Sequence, residues 1–99
     1  MTDDYNEKKH DMGKLRMDLF PVETMESISA VLTYGAQKYA AHSWRTVPDA
    51  IPRYVAAMLR HYVAWKKGEM LDEESGLPHT SHMACNAIFI DALVKQDAQ

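Results

Sequence analysis

Apolar residues recur along most of the chain at steps of three and four, the spacing that lines one face of an α-helix. In the first such stretch Val22, Met25, Ile28, Val31, Leu32, Ala36 and Tyr39 form one stripe behind Pro21, which suits a first helical position because its missing N–H costs nothing there. Glu23 and Glu26 favour the positive end of the dipole, so a helix is predicted over residues 21–40, with Gly35 as a place of close approach. In the second stretch Ile51, Tyr54, Val55, Met58, Leu59, Tyr62 and Val63 step in the same way. Asp49 is placed to cap its start, Lys66 and Lys67 suit its end, and Gly68 is the natural stop. A third helix is predicted from Pro78 to about Gln96, where Met83, Ala84, Ala87, Ile88, Ile90, Ala92, Leu93 and Val94 cover more than one side, as in a helix that is surrounded.

Between the helices the pattern breaks. Residues 41–50 read as a loop, and residues 69–78 as a carboxylate-rich connector with a Ser75-Gly76 turn signal. Met12 to Phe20 alternates apolar with polar residues, consistent with an extended segment or with a loop that tucks its Leu and Met inward. Residues 1–10 are charged and read as a mobile arm. No strand pair or internal repeat is evident. The expected fold is all-α, a single domain over 1–99 built as a small bundle of about three main helices. Three such helices enclose a thin core, and the spread of apolar positions on the third points to self-association.

Composition narrows the function classes. Eleven Lys and Arg stand against 14 Asp and Glu, a net charge of −3, which argues against bulk nucleic-acid binding. The longest apolar run, Tyr54 to Leu59, falls far short of a membrane span, and Thr2-Asp3-Asp4 is not a secretory leader. One cysteine, Cys85, excludes an internal disulfide and suits a reducing cytosol; mid-helix, it reads as a small core residue. The seven methionines read as core filler, and no Gly-rich phosphate loop is present. His10-Asp11 is a dipeptide seen in metal phosphohydrolases, but it sits in the charged arm without helical context.

Two constellations could carry chemistry. His61 lies on the second helix, Glu69 and Asp72 in the connector, and His79 and His82 one turn apart on the third helix, able to point at a common atom. Carboxylates suit Mg²⁺ or Mn²⁺, and added imidazoles favour Mn²⁺, Zn²⁺ or Fe²⁺ over Mg²⁺. Spacing alone equally allows a solvated connector with satisfied histidines. The second constellation is basic and aromatic: Lys14, Arg16, Lys38, Tyr39, Trp44 and Arg45 could hold phosphates and stack on a base, or Tyr39 could continue the core stripe and Trp44 cap the bundle.

The succession Gly13-Lys14-Leu15-Arg16, Val31 to Tyr39, Trp44-Arg45, Arg60-His61, Gly68-Glu69, Asp72 to Leu77 and His79-Thr80-Ser81-His82 resembles the small phage-associated dATP/dGTP diphosphohydrolase family. The resemblance runs from residue 13 to about 90. It implies kinship with the all-α, MazG-type nucleoside triphosphate pyrophosphohydrolases, which release a monophosphate and pyrophosphate with Mg²⁺ or Mn²⁺ and act as dimers or tetramers. It further implies a purine deoxynucleoside triphosphate as substrate and, for a phage-encoded chain, the cytoplasm of the host cell. MazG-type enzymes gather metal with paired acidic motifs, whereas this chain has Glu69-x-x-Asp72 once, Glu23-x-x-Glu26 far upstream, and His79-x-x-His82 where the second acidic pair is expected. Either the site mixes imidazole with carboxylate, or the metal ligands lie elsewhere and the histidines touch substrate; on the first reading Glu69, Asp72, His79, His82 and His61 hold the metal, and Glu69 or Asp72 orients the attacking water. Glu74 supports from behind; Lys38, Arg45 and Arg60 neutralise phosphates; Lys14 and Arg16 close over them or reach a neighbouring subunit; Trp44 or Tyr39 stacks on the purine. A non-catalytic nucleotide-binding module and a helical adaptor are the alternatives.

Overall fold

A computed structural model describes residues 12–98; the arm at residues 1–10 and the His10-Asp11 dipeptide lie outside the described residues. Three α-helices carry the fold: α1 (Val22–Lys38), α2 (Ala50–Lys66) and α3 (His79–Asp97), with short 3₁₀ turns at Met17–Leu19 and Ser43–Thr46. Among the described residues there is no strand, only an isolated bridge between Leu71 and Pro78. Among the described residues no helix is long and apolar enough to cross a membrane.

The helix boundaries follow local chemistry. Pro21 stands in extended conformation just before α1, and its carbonyl accepts the amides of Thr24 and Met25. Asp49 does precede α2, but in the left-handed region (φ 52°) and without a side-chain cap; only its carbonyl is used, accepting the Arg53 amide at 3.3 Å. At the other end of α2, Gly68 (φ 100°) donates to Trp65 and Glu69 donates to Ala64, the paired bonds of a glycine-terminated Schellman end. A Cβ at Gly68 would meet open space, so the cost of Gly68→Ala is conformational, about 1–2 kcal/mol. The expected outcome is a melting temperature lower by several degrees with helicity retained, read by circular dichroism.

α3 is the central element, packing on α2 along its length and on α1 at its N-terminal half. Ile28 and Val31 of α1 meet Cys85 of α3, with Leu77, Ala84 and Phe89 packed around them, and Leu93 is buried further along α3. Burial pushes the Cys85 thiol up to about 11, as suits a core residue.

Several expectations need correction. The α1 stripe is covered only in its middle: Val22, Met25, Leu32 and Tyr39 are exposed, and α1 ends at Lys38 rather than residue 40. Leu15 and Met17 do not tuck inward but stand exposed around a 3₁₀ turn. Met12, Met17, Met25 and Met70 are exposed rather than core filler. No described side chain or neighbouring helix comes within 4 Å of a Cβ built on Gly35. The common cause is that three helices supply too few neighbours to cover the apolar surface of the described residues. The radius of gyration, 17.4 Å, exceeds the ~13 Å of a compact domain of this length.

Candidate metal centre

The connector that sequence reads as an acidic turn is a closed hydrogen-bonded loop. Asp72 donates its amide to the Leu77 carbonyl, His79 donates to Met70, and the Leu71–Pro78 bridge lies between them. Inside the loop the Ser75 amide donates to Asp72 Oδ2 at 2.9 Å, the Leu77 amide donates to Ser75 Oγ, and Gly76 turns with φ 73°. This geometry fixes the Asp72 carboxylate at the entrance to α3. The Schellman end of α2 aims Glu69 at the same point, and the first turn of α3 supplies His79 and His82.

His61, Asp72 and His79 each offer one ligating atom, and the three atoms lie within 4.8 Å of one another. His61 Nδ1 and His79 Nδ1 are 2.8 Å apart, and His79, almost fully buried, turns its Nε2 to Glu69 Oε2 at 2.8 Å. With His79 Nε2 donating to that carboxylate, its Nδ1 carries a lone pair toward His61 and Asp72. A carboxylate behind a ligating imidazole is how metal-bound histidines are oriented. The His82 ring lies flat on His61 at 4.5 Å, and its Nε2 meets Ser75 Oγ at 2.7 Å.

Protonation favours the same reading. Burial holds the His61 pKa below its ordinary value, reinforced by His82, His79 and Arg60 against the pull of Asp72. Burial does the same to His82, helped by His79 and opposed by Asp72 and Glu74. For Asp72, burial works to raise the pKa, but the Ser75 amide and hydroxyl and the nearby histidines outweigh it and keep the carboxylate ionised. Two nitrogen donors and one oxygen donor thus converge, a set that fits Mn²⁺ better than the oxygen-preferring Mg²⁺.

These shifts have a consequence for stability. His61 and His82 have folded-state pKa values below the unfolded one, so the unfolded chain takes up more protons as the pH falls through the unfolded histidine value near 6.5. The metal-free protein is therefore expected to lose stability between about pH 7 and 5. Thermal melts across that window, repeated on His82→Gln, check this; the variant should show a shallower dependence.

The sequence-derived candidate residues do not all gather at one place. His61, Glu69, Asp72, His79 and His82 come together, but Glu69 and His82 stand outside the converging trio, Glu69 bonded to His79 and His82 to Ser75. Glu23 and Glu26 are exposed on α1 and outside this group. Lys38 pairs with Glu74, and Tyr34 also bears on that carboxylate. That partnership raises the Lys38 pKa and lowers that of Glu74, and it binds α1 to the connector.

The remaining basic and aromatic candidates lie apart. Trp44 stacks on Phe89 at 4.5 Å, and Arg45 lies over its ring at 4.4 Å, so the indole is engaged within the bundle. Arg45 also reaches Gln96, which lies fourteen positions beyond His82 on α3, roughly 20 Å along the axis. Trp44 therefore caps the bundle, held also by the Tyr54 hydroxyl donating to its carbonyl. Tyr39 is exposed with Lys38 over its ring, Arg16 grips Asp18 with two bonds, and Lys14 is exposed. Arg60 is exposed on α2, beside Glu69. Sequence reasoning missed Ser75, which holds both Asp72 and His82, and Tyr34; a Ser three positions after an Asp is the local signal for the first.

Comparison with known proteins gives consistent results. Residues 4–99 match the family described as dATP/dGTP diphosphohydrolase, N-terminal. A protein of Salmonella phage PMBT28 named dATP/dGTP diphosphohydrolase is 34% identical over 82 residues, which cover 83% of this chain and 28% of that protein. The chain thus spans little more than a quarter of the length of this relative. No solved structure matches.

Proposed function

The chain belongs to the dATP/dGTP diphosphohydrolase N-terminal family, and from that premise we propose a metal-dependent nucleoside triphosphate pyrophosphohydrolase. It takes a purine deoxynucleoside triphosphate, dATP or dGTP, to the monophosphate and pyrophosphate, and works as a homodimer or homotetramer. The convergence of His61, Asp72 and His79 within 4.8 Å carries this reading, since two imidazoles and a carboxylate are brought to one point by three separate elements.

His61, Asp72 and His79 would hold the ion, with Mn²⁺ preferred over Mg²⁺; once bound, it neutralises phosphate charge and acidifies water. Glu69 keeps His79 in the required tautomer through Oε2, and Oε1, which has no hydrogen bond among the described residues, is available to accept the proton of an attacking water. His82 and Ser75 hold the walls by stacking and hydrogen bonding.

The test incubates the purified protein with Mn²⁺ or Mg²⁺ and a panel of ribo- and deoxynucleoside triphosphates. Monophosphate with pyrophosphate is expected, fastest for dATP or dGTP. Nucleoside with tripolyphosphate, or nucleotide binding without turnover, would replace this reading with another hydrolase class or with a binding module.

A further inference from the structure

Beside the centre, on the outer side of α2, lies an open hollow of about 430 Å³ lined by Leu59, Arg60, Val63, Ala64, Lys67 and Glu69. That volume is in the range of small-molecule sites, ~300–1,000 Å³. The helical repeat builds it: Leu59 and Val63 form one ridge, and Arg60, Ala64 and Lys67 the next. Leu59 and Val63 are about half exposed, so this apolar floor is uncovered in the protomer. Glu69 closes the end nearest the centre and touches His79 there.

Two cations stand at the rim of this hollow. Lys38 pairs with Glu74, Arg16 with Asp18 and Lys95 with Asp91, whereas Arg60 and Lys67 form no ion pair among the described residues. Two unpaired cations bordering one apolar floor, in a chain of net charge −3, complement a ligand that is flat and apolar at one end and polyanionic at the other. A purine nucleoside triphosphate has this form. Trp44 is already engaged by Phe89 and Arg45.

Building on the hydrolase reading, we propose that this hollow seats the nucleotide, with the purine on Leu59, Val63 and Ala64 and the phosphates held by Arg60 and Lys67. Glu69 is then the hinge between the binding hollow and the metal centre, one oxygen on His79 and the other facing the substrate. Lys67 becomes a substrate-binding residue, beyond its part in ending α2.

The experiment measures binding of a non-hydrolysable α,β-methylene dATP by calorimetry to the wild type, Val63→Trp, and the double variant Arg60→Ala/Lys67→Ala. Both variants are expected to bind at least ~10-fold more weakly, the loss of charge-assisted contacts or of space being worth that much. The rise in melting temperature produced by Mn²⁺ alone should match wild type in both. Deoxyadenosine, lacking phosphates, should bind the double variant as it binds wild type. Wild-type affinity for the analogue in both variants overturns the proposal. So does a fall in oligomer mass of Val63→Trp with nucleotide affinity intact, which would make the hollow an interface between copies. Failure of the hydrolase reading looks different: the analogue binds through the hollow, yet no triphosphate is turned over.

Discussion

His79→Ala is expected to abolish metal-dependent turnover, lowering kcat/KM at least ~1,000-fold, and to remove the melting-temperature rise produced by Mn²⁺. His79 is the most constrained member of the centre: almost fully buried, with one ring nitrogen 2.8 Å from His61 and the other 2.8 Å from Glu69. Alanine removes a ligating nitrogen and leaves the Glu69 carboxylate without its partner. In the wild type, an ion at a hundred times its dissociation constant adds about 2.7 kcal/mol of stability, a readily measured shift for a chain this small. Far-ultraviolet circular dichroism separates loss of the site from loss of the fold. Glu69→Gln supplies a second arm, because glutamine keeps the shape but removes the charge that orients His79. It should weaken Mn²⁺ binding ~10–100-fold and shift the pH dependence of turnover. Wild-type metal stabilisation in His79→Ala would remove the site altogether.

Secondary structure was largely legible in the sequence because its determinants are local. The Gly68 stop and the Pro78 start fall where the pattern places them, since one demands a positive φ and the other sits just before the first helical residue. Asp49 shows the limit of such reasoning. It occupies the cap position, but its left-handed backbone conformation leaves the side chain without a capping bond. Tertiary burial was less legible: a stripe such as Val22 to Tyr39 marks which face is apolar but not whether a neighbour exists to cover it.

The centre was legible as a neighbourhood and not as a set of bonds. The i, i+3 spacing of His79 and His82 suggested equal partners, yet the fold turns His79 into the converging trio and ties His82 to Ser75 while stacking it on His61. Asp72 and Glu69 likewise divide, one within the trio and the other behind His79, because the closed loop holds Asp72 while the end of α2 aims Glu69. Partners of the basic residues were not legible either. A lysine or arginine carries no sign in the sequence of the carboxylate or ring that will occupy it, and Lys38 is taken by Glu74 as Arg45 is by Trp44.

The second large effect concerns the uncovered face of α1. Val22, Met25 and Leu32 stand along one side of that helix at 73%, 50% and 37% exposure, while only Ile28, Val31, Cys85 and Leu93 are buried apolar residues among those described. So small a core offsets little of the entropy of ordering three helices, because each fully buried large side chain contributes only about 1.5–3 kcal/mol. Our reading of the chain as a homo-oligomer supplies the missing cover by placing a second copy on this face. Met25→Asp with Leu32→Asp is therefore expected to shift the assembly to monomer and to lower its melting temperature by more than 10 °C, since about 3 kcal/mol or more is lost from a domain in which 1 kcal/mol moves the midpoint ~4–8 °C. Light scattering coupled to size exclusion reads the mass. The wild-type melting temperature should also rise with protein concentration, as it does when folding and association are linked. A wild-type protein of 11.3 kDa in solution, with a melting temperature independent of concentration, would show that one protomer stands alone and that its exposed stripe is not an interface between copies.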